Sequence, residues 1–143
     1  MSTENKFSRR KTRKLFIGNI PIGGDSPISV QTMSKTKTSD VEATVKQILR
    51  CQEAGADIVR VTVNDAEAAD AIKEIVKGVT LPIVADIHFN HIFALKSLEA
   101  GVAKVRINPG NIGNKDRIRE VLMFAKNDNL AFCPISFVSF RLI

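Results

Sequence analysis

The chain contains no tryptophan and no tyrosine, and only two cysteines and two histidines in 143 residues. Without indole or phenol rings it lacks the aromatic platforms on which single-stranded nucleic acids stack. Cys51 and Cys133 stand far apart and at no metal-ligand spacing, so they read as free thiols of a reducing compartment, and no metal ligand is assigned. No apolar run is long enough to span a bilayer. The first residues are polar and basic, without the apolar core of a secretory signal. These absences leave a cytoplasmic globular protein with no membrane and no nucleic-acid partner. Acidic residues are also in the minority, 15 against 21 Lys and Arg, for a net charge of +6. Much of that excess lies in Arg9, Arg10, Lys11, Arg13 and Lys14. Residues 1–13 are expected to form a basic disordered arm, a solvated segment rather than a nucleic-acid arm. The basic balance suits an acidic small-molecule substrate.

What is present is a core-forming pattern, with 44% hydrophobic residues and length enough for one domain. Lys14 to Gly24 predicts a short strand pair, with turns at Gly18-Asn19 and Gly23-Gly24-Asp25. A strand is expected over Ile28–Met33, followed by a polar Ser/Thr/Lys loop at 34–39. Ser39 and Glu42 match a capping pattern before a helix carrying Val41, Val45, Ile48 and Leu49, stopped by Gly55. A strand over Asp57–Val63 follows. Asn64 and Glu67 then open a helix with Ala69, Ile72 and Val76 on its buried stripe. Pro82–His88 is the next strand, and Asn90–Ala100 a third helix with Ile92, Leu95 and Leu98 inward. The strand around Arg106 leads to a fourth helix with Ile118, Val121, Leu122 and Ala125 on one face. Strands alternating with helices indicate right-handed βαβ crossovers and a parallel sheet. Glu53-Ala-Gly-Ala-Asp-Ile-Val-Arg-Val61 returns as Glu99-Ala-Gly-Val-Ala-Lys-Val-Arg-Ile107, an internal echo that favours a (β/α) barrel over a doubly wound sheet. The expected fold is a partial TIM-type barrel of about four βα units over residues 14–130, preceded by the strand pair. Its unpaired sheet edges predict self-association of the isolated chain.

Strands buried on both faces read as nearly continuous apolar runs. These do not. Arg60 and Thr62 alternate with Val59, Val61 and Val63; Asp86 and His88 alternate with Ala85 and Ile87; Lys104, Arg106 and Asn108 alternate with Val105 and Ile107. Ser29, Gln31 and Met33 alternate likewise with Ile28, Val30 and Thr32. Residues two apart share a face, so the apolar parity is expected to meet the helices and the polar parity the barrel axis. Active sites of such barrels sit at the C-terminal ends of the strands. An antiparallel sheet with one wet face would alternate similarly, but the intervening helices argue against it. Arg60 and Asp86 alone would make a structural ion pair. Surplus cationic charge on an interior rim instead calls for an anionic partner such as a diphosphate. The turn Asn108-Pro-Gly-Asn-Ile-Gly-Asn114, with Asn114 capping the helix from Lys115, adds backbone N–H groups at a positive helix end. His91 is expected at the surface of a helix start. Walker and dinucleotide motifs are absent, as is any Ser/His/Asp order.

Several stretches resemble one family closely. Gly18-Asn-Ile-Pro-Ile-Gly23, Val30-Gln-Thr-Met33, Thr38-Ser-Asp-Val-Glu-Ala-Thr44, Gly55-Ala-Asp-Ile-Val-Arg-Val61, Ala85-Asp-Ile-His-Phe89 and Arg106-Ile-Asn-Pro-Gly-Asn-Ile-Gly113 are similar to the N-terminal part of the 4-hydroxy-3-methylbut-2-en-1-yl diphosphate synthases. The resemblance implies an iron–sulfur oxidoreductase of the non-mevalonate isoprenoid pathway. It would reductively open 2-C-methyl-D-erythritol 2,4-cyclodiphosphate and remove a hydroxyl as water. Electrons would come from flavodoxin or ferredoxin through a 4Fe-4S cluster held by a separate C-terminal domain, in a homodimer. By position, Arg60 and Arg106 match the diphosphate-binding arginines. Asn108 and Asn111 lie in the loop lining that site, and Asp86 and His88 match the motif near the substrate. The resemblance runs from about Arg9 to Asn129. Residues 131–143 depart from it and are expected to be an out-of-family tail, with the later strands and the cluster domain absent. A truncated chain, inactive alone, is the expectation. A cluster-free diphosphate-binding module, or a pterin-synthase-like barrel, is the alternative.

Overall fold

The computed structural model describes residues 10–127 and 131–134. The chain first forms an antiparallel pair, β1 (Leu15–Ile17) and β2 (Ile20–Ile22), joined through Gly18 at φ +59°. A Cβ at Gly18 would lie 3.1 Å from Pro82 Cγ, so both the turn and the close approach favour glycine here. Then come β3 (Gln31–Met33), α1 (Val41–Glu53), β4 (Ile58–Val63), α2 (Ala66–Gly78), β5 (Ile83–Ile87) and α3 (His91–Glu99). They are followed by β6 (Lys104–Ile107), a single helical turn α4 (Pro109–Ile112), α5 (Lys115–Asn127) and β7 (Ala131–Pro134). The five strands β3 to β7 are all parallel and lie in sequence order, the topology of successive βα units in a barrel wall. The segment expected to be a tail thus opens with a strand of the sheet. Its residues 135–143, and residues 1–9 of the expected arm, lie outside the described residues.

The apolar parity meets the helices. Val59, Val61, Val63, Ile83, Ala85, Ile87, Val105 and Ile107 form one cluster with Ile48, Ile72, Ile75, Leu98, Ile118 and Val121. A second, smaller cluster lies on the opposite face near the strand starts, where Ile58 and Val84 pack with Ile17, Ile20, Ile22 and Ala103. The β1–β2 pair therefore floors the barrel wall.

Four local expectations are corrected. The helix caps are Asp40 and Asp65, not Ser39 and Asn64; their carboxylates accept from Ala43 N at 3.0 Å and Ala68 N at 2.7 Å. A carboxylate accepts the hydrogen bond and also meets the positive end of the helix dipole. The first strand of the sheet is shorter than Ile28–Met33. Ile28 and Val30 are exposed, because β3 is an edge strand and no layer covers them among the described residues. Leu49 and Ile92 also face outward, while the buried positions are Thr44 and Ile48 in α1 and Ala94, Ser97 and Leu98 in α3. His91 is mostly buried, with 15% of its side chain exposed, and its Nε2 lies 3.5 Å from Glu120 of α5.

Candidate functional site

Three neighbouring strands contribute charged side chains to the face opposite the helices. In the register, Thr62, Asp86 and Arg106 form one rank across β4, β5 and β6. Met33, Arg60, Val84 and Lys104 form the rank nearer the floor. Asp86 is 3% exposed. Its two oxygens accept from Arg106 Nη1 at 2.7 and 2.8 Å. Arg60 Nε lies 3.3 Å from Asp86 Oδ2, close enough for an ion pair but not aligned for a hydrogen bond. Arg60 Nη2 donates instead to Met33 Sδ at 3.2 Å. Both guanidinium groups are therefore on one side of the sheet and share one carboxylate. The Arg60–Asp86 pair weighed from the sequence as a structural alternative is present, and Arg106 is the better-aligned partner.

One carboxylate does not neutralise two guanidinium groups. Arg106, with 30% of its side chain exposed, donates only through Nη1 among the described residues. Its Nε and Nη2 remain as donors for an oxyanion, as does Nη1 of Arg60. Asp86 then acts as the counter-ion that fixes both forks, with its own oxygens turned toward the arginines.

The rest of the rim is set by the turn after β6. Asn108 caps α4, its Oδ1 accepting from Gly110 N at 3.1 Å, and Asn111 N closes the turn on Asn108 O at 2.9 Å. Asn111 is exposed and Asn108 half-buried. Asn114 Oδ1 accepts from Arg117 N at 3.1 Å, the cap expected of it. Side chains thus occupy N–H groups of this turn that the sequence suggested for an anion, and the positive charge of the site rests on the guanidinium groups. Gly113, at φ +109°, lets the chain turn beneath Arg117, whose Nη1 would lie 3.0 Å from a Cβ there. His88 is half-buried beside the exposed Phe89, with ring centroids 6.0 Å apart.

The polar loop after β3 proves to be a brace. Thr38 Oγ1 donates to Thr62 O at 2.7 Å, the Thr36 and Thr44 hydroxyls lie 2.9 Å apart, and Ser34 N donates to Arg60 O at 2.9 Å. These bonds hold the backbone that carries Arg60. Sequence reasoning missed Met33 as an acceptor, although its shared parity with Gln31 and its place at a strand end were visible. Away from the site, a hydrogen bond from Lys77 and its charge hold the Glu74 carboxyl below its usual range.

Together these observations define the class: a parallel (β/α) barrel wall whose axis-facing rim gathers two guanidinium groups on one carboxylate. The GcpE TIM-barrel domain matches residues 12–133, and the chain belongs to that family. It is 55% identical over 130 residues to the 4-hydroxy-3-methylbut-2-en-1-yl diphosphate synthase (flavodoxin) of Alcanivorax borkumensis, covering 91% of this chain and 35% of that protein. The same-named proteins of Marinomonas sp. and Haemophilus influenzae are 53% and 55% identical, over 91% and 87% of this chain. The chain spans about a third of the length of these curated relatives. Among solved structures, a dihydropteroate synthase from Xanthomonas albilineans superimposes with a TM-score of 0.57 at 18% identity, over 83% of this chain and 48% of the other. That likeness is one of fold.

Proposed function

We propose that this chain holds the diphosphate of 2-C-methyl-D-erythritol 2,4-cyclodiphosphate in a 4-hydroxy-3-methylbut-2-en-1-yl diphosphate synthase. The convergence of Arg60 and Arg106 on the single carboxylate of Asp86 carries this reading. Arg106 and Arg60 take phosphoryl oxygens, Asp86 orients them, and Asn108, Asn111 and His88 line the surrounding rim. The names of the relatives support flavodoxin as electron donor, with ferredoxin as the other candidate, for a reductive ring opening that releases water. In the same reading the enzyme is a cytoplasmic homodimer. The redox chemistry belongs to a 4Fe-4S cluster. The described residues contain no grouping of three His, Cys, Asp or Glu side chains able to hold a metal ion, so they do not fit the cluster. Binding and orientation are therefore the contribution derived for these residues.

Calorimetry with the cyclodiphosphate tests the reading. Heat of binding is expected from the wild-type chain. Arg106→Gln should weaken affinity roughly 10- to 100-fold, the loss of one or two charge-assisted hydrogen bonds. No heat at millimolar ligand would refute it. The alternative reading is a cluster-free diphosphate-binding module. Iron content together with donor-dependent turnover separates the two.

A further inference from the structure

The face that carries the two arginines holds a third cation. Lys104 opens β6 and lies opposite Val84 in the register, with Arg60 opposite Val84 on the other side. Residues 104 and 106 share a parity, so Lys104 stands on the Arg106 face, one rank nearer the floor. It is half-buried, and no carboxylate lies within ion-pair distance of it among the described residues. Arg60, from that same rank, reaches up to Asp86 in the rank above. The lysine stem has comparable length, since one rank is about 6.6 Å along a strand. Both oxygens of Asp86 already engage a guanidinium group, one Arg106 alone and the other both arginines, and a single carboxylate cannot balance a third cation. Among the described residues the inner faces of β4, β5 and β6 thus carry three side-chain cations, Arg60, Lys104 and Arg106, against one carboxylate, an excess of two positive charges.

We propose that Lys104 is a specificity-determining residue that contacts the second phosphoryl group, so that the site prefers diphosphates to monophosphates. This rests on the diphosphate reading and deepens it. The two arginines and Asp86 leave one net positive charge, matched to a single phosphoryl group. Lys104 supplies the other as a compact ammonium that needs no fixed approach geometry.

Calorimetry on the full chain with inorganic pyrophosphate and, separately, orthophosphate tests it. Lys104→Gln should lower pyrophosphate affinity roughly tenfold, one charge-assisted contact, and leave orthophosphate affinity within about twofold. Lys104→Arg should restore most of the difference. Equal pyrophosphate affinity in the wild type and Lys104→Gln would overturn the proposal and leave the two-arginine site standing. A parallel loss for both anions, or a lowered thermal midpoint without ligand, would overturn it in favour of a structural ion pair with a carboxylate outside the described residues. Absence of pyrophosphate binding by the wild type would overturn both this proposal and the reading beneath it. Acylation of the wild-type protein needs no variant to fold. Pyrophosphate should protect Lys104 from the reagent, and equal labelling with and without it would count against the contact.

Discussion

One face of the sheet has two unlike ends. Near the strand starts, Ile58 and Val84 are closed over by Ile17, Ile20 and Ile22 of the β1–β2 pair. Two residues further along the same parity stand Arg60 and Asp86, with Arg106 beside them. The floor is held by exclusion of water and tolerates any well-shaped apolar side chain. The rim is held by directional charge pairs whose strength depends on the dry floor below and on Asp86 being withdrawn from solvent. The floor therefore sets the dielectric in which the rim works, and the rim adds little stability of its own.

Removing Asp86 should break this contrast most sharply. Asp86→Ala leaves two guanidinium groups facing each other without a counter-ion, and urea denaturation should show a loss of about 3–5 kcal/mol, nearer the low end because both arginines reach solvent. A change under about 0.5 kcal/mol would mean that the rim charges are solvated independently. The floor gives the next largest effect. Ile58→Ala empties a site that is 1% exposed and should cost about 3 kcal/mol, with no change in which anions bind. Altered pyrophosphate preference in that variant would show that floor and rim are one unit. The smallest effect checks the helix starts. Asp65→Ala should cost about 1 kcal/mol, while Asn64→Ala should stay within about 0.5 kcal/mol. The reverse order would restore the cap position suggested by the sequence.

Much of the wall was legible because its signals are local and periodic. The alternation in β4, β5 and β6 was visible in Arg60/Thr62, Asp86/His88 and Lys104/Arg106, and each strand buries its apolar parity against helices. Asn114 was identifiable as a cap from its place before an apolar-periodic run. The caps placed one residue early, at Ser39 and Asn64, follow from two adjacent acceptors competing for one helix start, which differ by a single residue of backbone geometry. The outward turn of Ile28, Val30, Leu49 and Ile92 was not legible, because hydrophobicity alone does not say whether a covering layer exists. The burial of His91 depends on Glu120 arriving from another helix.

For the site, residue identity and parity singled out Arg60, Asp86 and Arg106 before any contact was known. Parity is a property of the extended chain, since side chains two apart point the same way in any strand, and so the sequence alone determined which residues share a face. Who pairs with whom was decided only by the tertiary structure. Register and rank brought both guanidinium groups to one carboxylate, handed Arg60 a thioether, and left Lys104 one rank below. Those distances are set by neighbouring strands, each fixed by its own helix and turn, and no single stretch of sequence contains them.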